Sequence, residues 1–163
     1  MQLAEEGRLP IRALTAGDGD LLERFFHTLS PTTVYRRFMS PLPRPTEEMR
    51  VRLLAVNHVS SEALAAFNAG QIVGVARYAR GPRGEHDLAV VVADAWQRQG
   101  VSRTLLTELA QIALRRGIGS FQGLLLAENR PAIEMLRNIF PGVSFRHGGT
   151  EVEAEIPLLA AAR

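Results

Sequence analysis

The stretch from Val90 to Leu106 constrains this chain more than any other. It reads Val-Val-Val-Ala-Asp-Ala-Trp-Gln-Arg-Gln-Gly-Val-Ser-Arg-Thr-Leu-Leu. An apolar β-branched run gives way to a polar turn with one glycine, and the turn to a leucine-rich segment at helical spacing. The pattern predicts a buried strand, a short turn and a long amphipathic helix. The first turn of such a helix leaves backbone N–H groups without intrahelical acceptors and lies at the positive end of the helix dipole. This is a place where an anion, a phosphate above all, can be held.

The rest of the chain supplies the surroundings. Residues 9–14 alternate in part and predict a first strand. Asp18 or Asp20 then caps a helix with Leu21, Leu22, Phe25, Phe26 and Leu29 on one face. Ser30 and Pro31 open a second helix as N-cap and first helical residue. Thr46, followed by Glu47 and Glu48, opens a third that runs to about Val56. From Glu62 the period changes to that of strands. Residues 62–67 and 72–78 form a hairpin, and a turn at 81–84 leads into residues 87–93. Residues 88–93 are apolar throughout, so both faces of this strand are expected to be covered. The long helix spans 101–116 and stops at Gly117. Residues 121–126 form a further buried strand. Asn129 caps a helix that turns Ile133, Leu136 and Phe140 inward. Val143 and Phe145 begin a two-stranded end, whose last strand alternates Val152, Ala154 and Ile156 with Glu151, Glu153 and Glu155. The order predicts an α/β fold with a mixed central sheet of about seven strands flanked by helices, residues 1–163 forming one domain.

Bulk properties remove several classes of function. With 163 residues the chain can bury one good core but hardly two. There is no cysteine, hence no disulfide, thiolate metal site or cysteine nucleophile. His27, His58, His86 and His147 lack metal-ligand spacing, and no metal is expected. The net charge is +2 and arginine dominates the cations. Without an aromatic-interleaved basic stripe this predicts no nucleic-acid partner, whereas an anionic cofactor suits such a surface. No apolar run reaches the ~18 residues of a membrane span, and the N-terminus lacks an apolar signal core. A cytoplasmic location without membrane attachment is expected.

The element order, with Val90 onward in fourth-strand position, resembles the GNAT family of N-acetyltransferases. That family marks its acyl-CoA site with Gln/Arg-x-x-Gly-x-Gly/Ala, matched here by Gln97-Arg98-Gln99-Gly100-Val101-Ser102. The segment 127–133, Ala-Glu-Asn-Arg-Pro-Ala-Ile, resembles its second CoA-contacting region, Asn-x-x-Ala. The segment 29–38, Leu-Ser-Pro-Thr-Thr-Val-Tyr-Arg-Arg-Phe, is similar to the bacterial protein-lysine acetyltransferase branch. Two departures stand out. Ser102 replaces the usual Gly or Ala, and Leu136 occupies the place where many members carry a tyrosine as general acid.

The resemblance implies a sheet that is mostly antiparallel, and an acetyl-CoA-dependent transfer to a primary amine, protein lysine favoured over small amines. The alternative is a non-catalytic acyl-CoA-binding or sensor domain. A lysine-like amine at pH 7 is neutral about once in two thousand, so its deprotonation costs about 4–5 kcal/mol and calls for a base. Asp87 stands where the family often carries a catalytic glutamate, and Glu85, two residues earlier, points to the same face if the strand extends that far. The other reading of Asp87 is a solvated carboxylate at a strand end. A backbone N–H at Val91 or Val92 would meet the thioester oxygen. The pyrophosphate would lie on the N–H groups of residues 98–103, with Arg98 and Arg103 adding charge. Gln97, Gln99, Gly100, Val101 and Ser102 complete the loop, and Asn129 is both a helix cap and a candidate cofactor contact. Tyr35 and Phe38 are core or groove-lining residues. Arg36 or Arg37 is a candidate for the acceptor groove, as are the glutamates of the last strand, whose plainer reading is a solvated face. A monomer and a homodimer are both compatible with an exposed last strand.

Overall fold

The computed structural model describes residues 9–38, 51 and 54–158. Seven strands form one sheet in the order β1-β2-β3-β4-β5-β7-β6. They are β1 (Ile11–Ala13), β2 (Glu62–Asn68), β3 (Gln71–Arg80), β4 (His86–Val92), β5 (Ser120–Leu126), β6 (Ser144–Gly148) and β7 (Glu151–Pro157). Neighbours run antiparallel except β4 and β5, which are parallel. The predicted mixed sheet of about seven strands, mostly antiparallel, is therefore what the chain forms.

Alternation along the strands divides the core into two layers. Val75 and Val91 face α1 (Gly19–His27) and pack with its Leu22, Phe25 and Phe26. Phe38, the last residue of α2 (Pro31–Phe38), joins that layer. Val92 and Ala154 face the other way. They meet Leu105, Leu106 and Leu109 of α3 (Val101–Arg115) and Ile133 and Leu136 of α4 (Arg130–Ile139). No helix among the described residues is long and apolar enough to cross a membrane.

Two tethers set the ends of α3. At its start, a Cβ on Gly74 of β3 would stand 3.1 Å from Val101 Cγ1 and 3.2 Å from Leu105 Cδ1. The bare glycine thus lets the start of α3 settle onto the sheet. At its end, Arg116 donates to the Tyr78 hydroxyl at 3.0 Å and to buried Glu62 at 3.0 Å. Glu62 also pairs with His58 at 2.7 Å and accepts the N–H of Ala63.

Three expectations need correction or restriction. The third helix, expected from Thr46 to Val56, lies largely outside the described residues; Val51 and Leu54 within it are helical. Asp18 stands at the N-cap position of α1 without capping it. Its carboxylate is taken by Arg12, at 2.8 and 3.0 Å, and by the N–H of Thr15 at 2.8 Å. Last, β4 is not covered along its length. Val91 and Val92 are buried, but Leu88, Ala89 and Val90 are partly open, because β5 leaves β4 there.

The Asp18 pair makes a measurable prediction. Hydrogen bonding from Arg12 holds the Asp18 carboxyl down at about 2; burial opposes this and the Thr15 N–H assists it. A folded-state pKa below the unfolded value gives stability that is present above about pH 4 and lost as the pH falls toward 2. Asp18→Asn should therefore lower stability by about 2 kcal/mol at pH 7, half-exposed Arg12 limiting the effect. In urea melts the deficit should shrink below pH 4.

Candidate active site

The site begins with an interruption in the sheet. β4 and β5 share a single register pair, Asp87 with Gln122, near the start of both strands. Beyond it they diverge, each held by its outer neighbour. Residues 86–92 of β4 stay paired with β3, and all of β5 with β7. The gap opens toward the carboxyl ends of two parallel strands, where open α/β sheets place their ligands. A groove of about 1310 Å³ runs through it, bounded by Leu88, Ala89 and Val90 on one side and Gly123, Leu124 and Leu125 on the other.

Parting two strands leaves backbone groups without ladder partners. Ala93 donates its N–H to Val73 at 2.9 Å. By antiparallel alternation Val91, paired with Val75, turns its N–H to β3 as well. The N–H groups of Val90 and Val92 face the gap, while that of Leu88 is taken by the single bridge to Gln122. Of the two expected alternatives, Val91 or Val92, the ladder consumes the N–H of Val91 and leaves that of Val92 facing the gap. The Val92 carbonyl is met by the Gln97 side chain at 2.9 Å.

The groove has two chemically different faces. Toward α3 and α4 it is lined by Leu88, Val90, Leu125, Ala132, Met135 and Leu136. Toward α1 and α2 it is charged. Asp87, Gln122, Glu155 and Ser144 are register partners across four strands, so their side chains leave the same face. Gln122 donates to Glu155 at 3.1 Å. In the next row Glu153 pairs with Arg146. Opposite these carboxylates stand Arg36 and Arg37 of α2 and Arg77 of β3. Burial, with the charge of Arg77, lowers the Arg37 guanidinium to about 10, so it remains a cation at pH 7. Its guanidinium stacks over the Phe38 ring at 4.8 Å.

Glu85 and Asp87 converge on Gly81. A Cβ there would collide with Glu85 Oε2 and stand 2.8 Å from Asp87 Oδ2. Glu85 is spoken for, accepting the N–H of Arg83 at 2.9 Å. Asp87 makes no hydrogen bond to any described residue. Burial raises its pKa and Glu85 raises it further, against the pull of Arg83, His86 and Arg77. The Asp87 carboxylate is accordingly a better proton acceptor than a solvated aspartate.

The turn after β4 is a 3-10 turn (Asp94–Trp96) followed by Gln97 to Gly100. Arg98 and Gly100 have φ of 64° and 87°, and Gly100 stands at the N-cap position of α3. For Gly100 the left-handed backbone is free of penalty; for Arg98 it is strained. Arg98, Gln99 and Arg103 are exposed, Ser102 half-buried and Val101 buried. This loop lies outside the groove lining. Asn129 does line the groove, and its side chain accepts the N–H of Ala132 at 3.3 Å, the expected cap.

Most of the named residues were approachable from sequence. Gly74 and Gly81 were not singled out, although a glycine inside a strand is a known sign of close approach. The importance of Gln122 and Arg77 comes from cross-strand register, which a single sequence does not display.

Known proteins place this architecture. Residues 23–139 match the acetyltransferase (GNAT) family model. An acetyltransferase of Pseudomonas aeruginosa is 29% identical over 132 residues, 77% of this chain and 71% of that protein. The GNAT domain of S. lividans PAT superimposes with a TM-score of 0.84 at 29% identity, over 91% of this chain and 89% of that one. The PaiA N-acetyltransferase of Thermoplasma acidophilum, solved with coenzyme A, has the same fold, with a TM-score of 0.69 at 15% identity over 91% of this chain and 98% of its own. With the family model spanning most of its length, the chain belongs to the GNAT family of acetyltransferases.

Proposed function

We propose that the whole chain is one cytoplasmic domain that moves an acetyl group from acetyl-CoA directly to a primary amine, protein lysine favoured over small amines. The observation that carries this reading is the parting of β4 and β5 after Asp87 and Gln122, which joins an apolar face to a charged one through the sheet. The pantetheine arm and thioester enter from the apolar face. The pyrophosphate rests on the N–H groups of residues 98–103, beside Arg98 and Arg103, with Gly100 and Ser102 permitting its approach. The amine arrives on the charged face, drawn by Asp87, Glu153 and Glu155. Lysine is favoured by the likeness of residues 29–38 to the protein-lysine branch.

In the reaction Asp87 takes a proton from the ammonium, directly or through one water, since aspartate is about 1.5 Å shorter than glutamate. Glu85 raises the basicity of Asp87 by its charge. The nitrogen attacks the thioester carbon, and the oxygen gains charge against the N–H of Val92 or Val90. The carbon–sulfur bond then breaks toward Leu136, Met135 and Ala132. That wall holds no ionisable side chain among the described residues, so the thiolate leaves ionised or takes its proton from solvent, and the nitrogen gives up its second proton to solvent as the amide forms. The same observation favours a second reading, an acyl-CoA-binding domain without turnover.

Thiol release from acetyl-CoA with a panel of amines and lysine-containing proteins separates the two. The chain contains no lysine, so any acetyl-lysine formed belongs to the acceptor. Turnover that depends on the acceptor, with thermal stabilisation by acetyl-CoA, is expected. Stabilisation without release to any amine would leave the binding domain, and no stabilisation at millimolar acetyl-CoA would reject both.

Asp87→Asn should lower kcat/KM for the amine by about 10²- to 10³-fold across pH 6–9. The raised pKa gives the opposite sign for stability. A carboxyl that binds its proton more tightly when folded loses stability as the pH rises through its pKa. Asp87→Asn should therefore hold or raise the melting temperature at pH 7 while removing activity. An unchanged rate would take Asp87 out of the mechanism.

A further inference from the structure

The cofactor loop and the acceptor side of the groove are joined by a cluster of polar side chains that the mechanism above does not use. Asp94, first residue of the 3-10 turn after β4, accepts the Ser30 N–H at 2.9 Å, the Ser30 hydroxyl at 2.7 Å and the Thr33 hydroxyl at 3.0 Å. Ser30 in turn accepts the Thr33 N–H at 3.1 Å, the N-cap bond of α2. Gln97 divides its amide between Thr33 Oγ1 at 3.2 Å and the Val92 carbonyl at 2.9 Å. Although more than sixty residues separate the partners in sequence, one carboxylate and one amide tie the start of α2 to the turn that leads into the phosphate loop.

The bonds matter because they hold the N-terminal end of α2. An eight-residue helix is marginal alone; buried Val34, and Phe38, whose ring lies 5.8 Å from that of Phe26, hold the rest of it against the core. Yet α2 carries Arg36, Arg37 and Phe38 into the groove wall. Its start is fixed by Asp94 and Gln97, which lead directly into the loop of residues 98–100. The carboxylate form of Asp94 is the bonded one: burial opposes its charge, but the Ser30 and Thr33 donors outweigh it and lower its pKa.

We infer that Asp94, Thr33 and Gln97 act as a latch, through which an occupied cofactor loop fixes α2 and with it the acceptor wall of the groove. They are positioning residues. Binding of the two substrates is then linked: coenzyme A steadies α2, and a steadied α2 binds the acceptor more tightly. The inference rests on the reading that α2 lines the acceptor side.

Backbone hydrogen exchange of α2 with and without coenzyme A tests the latch without any acceptor. In the native protein, coenzyme A should slow exchange of residues 31–38 by about tenfold. Thr33→Val and Asp94→Ala should lose that response, and Thr33→Ser, which keeps the hydroxyl, should retain it. Coenzyme A affinity of Thr33→Val, measured by calorimetry, should fall by a similar factor of about ten, because the coupling is reciprocal. With a blocked peptide bearing one lysine amine, Thr33→Val should raise the acceptor KM about tenfold with little change in kcat. An α2 indifferent to coenzyme A in the native protein, or a Thr33→Val variant that responds like it, overturns the latch. If Arg37→Ala leaves the peptide KM unchanged while exchange behaves as expected, the latch stands and the acceptor-wall reading fails.

Discussion

Everything in this molecule turns on one missing set of hydrogen bonds. A sheet normally pairs every N–H and C=O along its interior strands. Here β4 and β5 meet once, at Asp87 and Gln122, and then part. The rest of the fold makes this tolerable. β4 keeps its ladder to β3, β5 keeps its ladder to β7, and Gln97 supplies a donor to the Val92 carbonyl where β5 would have supplied one. What remains is a pair of gap-facing N–H groups between an apolar and a charged face, a setting in which an oxygen that gains charge is stabilised.

The parting also explains how one groove has two characters. Strand alternation sends Leu88 and Val90 to the α3 and α4 side and Asp87 to the α1 and α2 side. A thioester suits the first environment and an ammonium the second, and the two meet only in the gap. The carboxylates are concentrated where the strands still touch, so Asp87 stands at the mouth of the channel rather than within it. Burial and Glu85 raise the pKa of Asp87, whose carboxylate has no neutralising partner at hydrogen-bond distance among the described residues. Such an arrangement sacrifices some stability for basicity.

Much of this was legible in the sequence. The strand, turn and helix around Gly100 have the expected positions because β-branched runs, a glycine and a helical leucine period are local signals. Glu85 lies one residue before β4 begins, so it meets Asp87 over Gly81 rather than along a shared strand face. Non-local facts were not legible. The uniform apolarity of residues 88–93 pointed to a strand covered on both faces, but whether a neighbour stays beside it depends on where β5 is drawn by β7. Asp18 had the right type and place for a cap, yet Arg12 lies within reach only after β1 and α1 come together. The bridges from Asp94 and Gln97 to α2 span more than sixty residues, and no local pattern announces them.

The central claim is that the unpaired N–H groups of β4 receive the acyl end of the cofactor. Titrating acetyl-CoA into nitrogen-labelled protein, with the backbone amides assigned, observes those groups one by one. Val90 and Val92 should show the large amide shifts along β4, while Val91 and Ala89, bonded to β3, move little. Equal shifts at Val91, or shifts confined to residues 98–103 with β4 silent, would contradict the account.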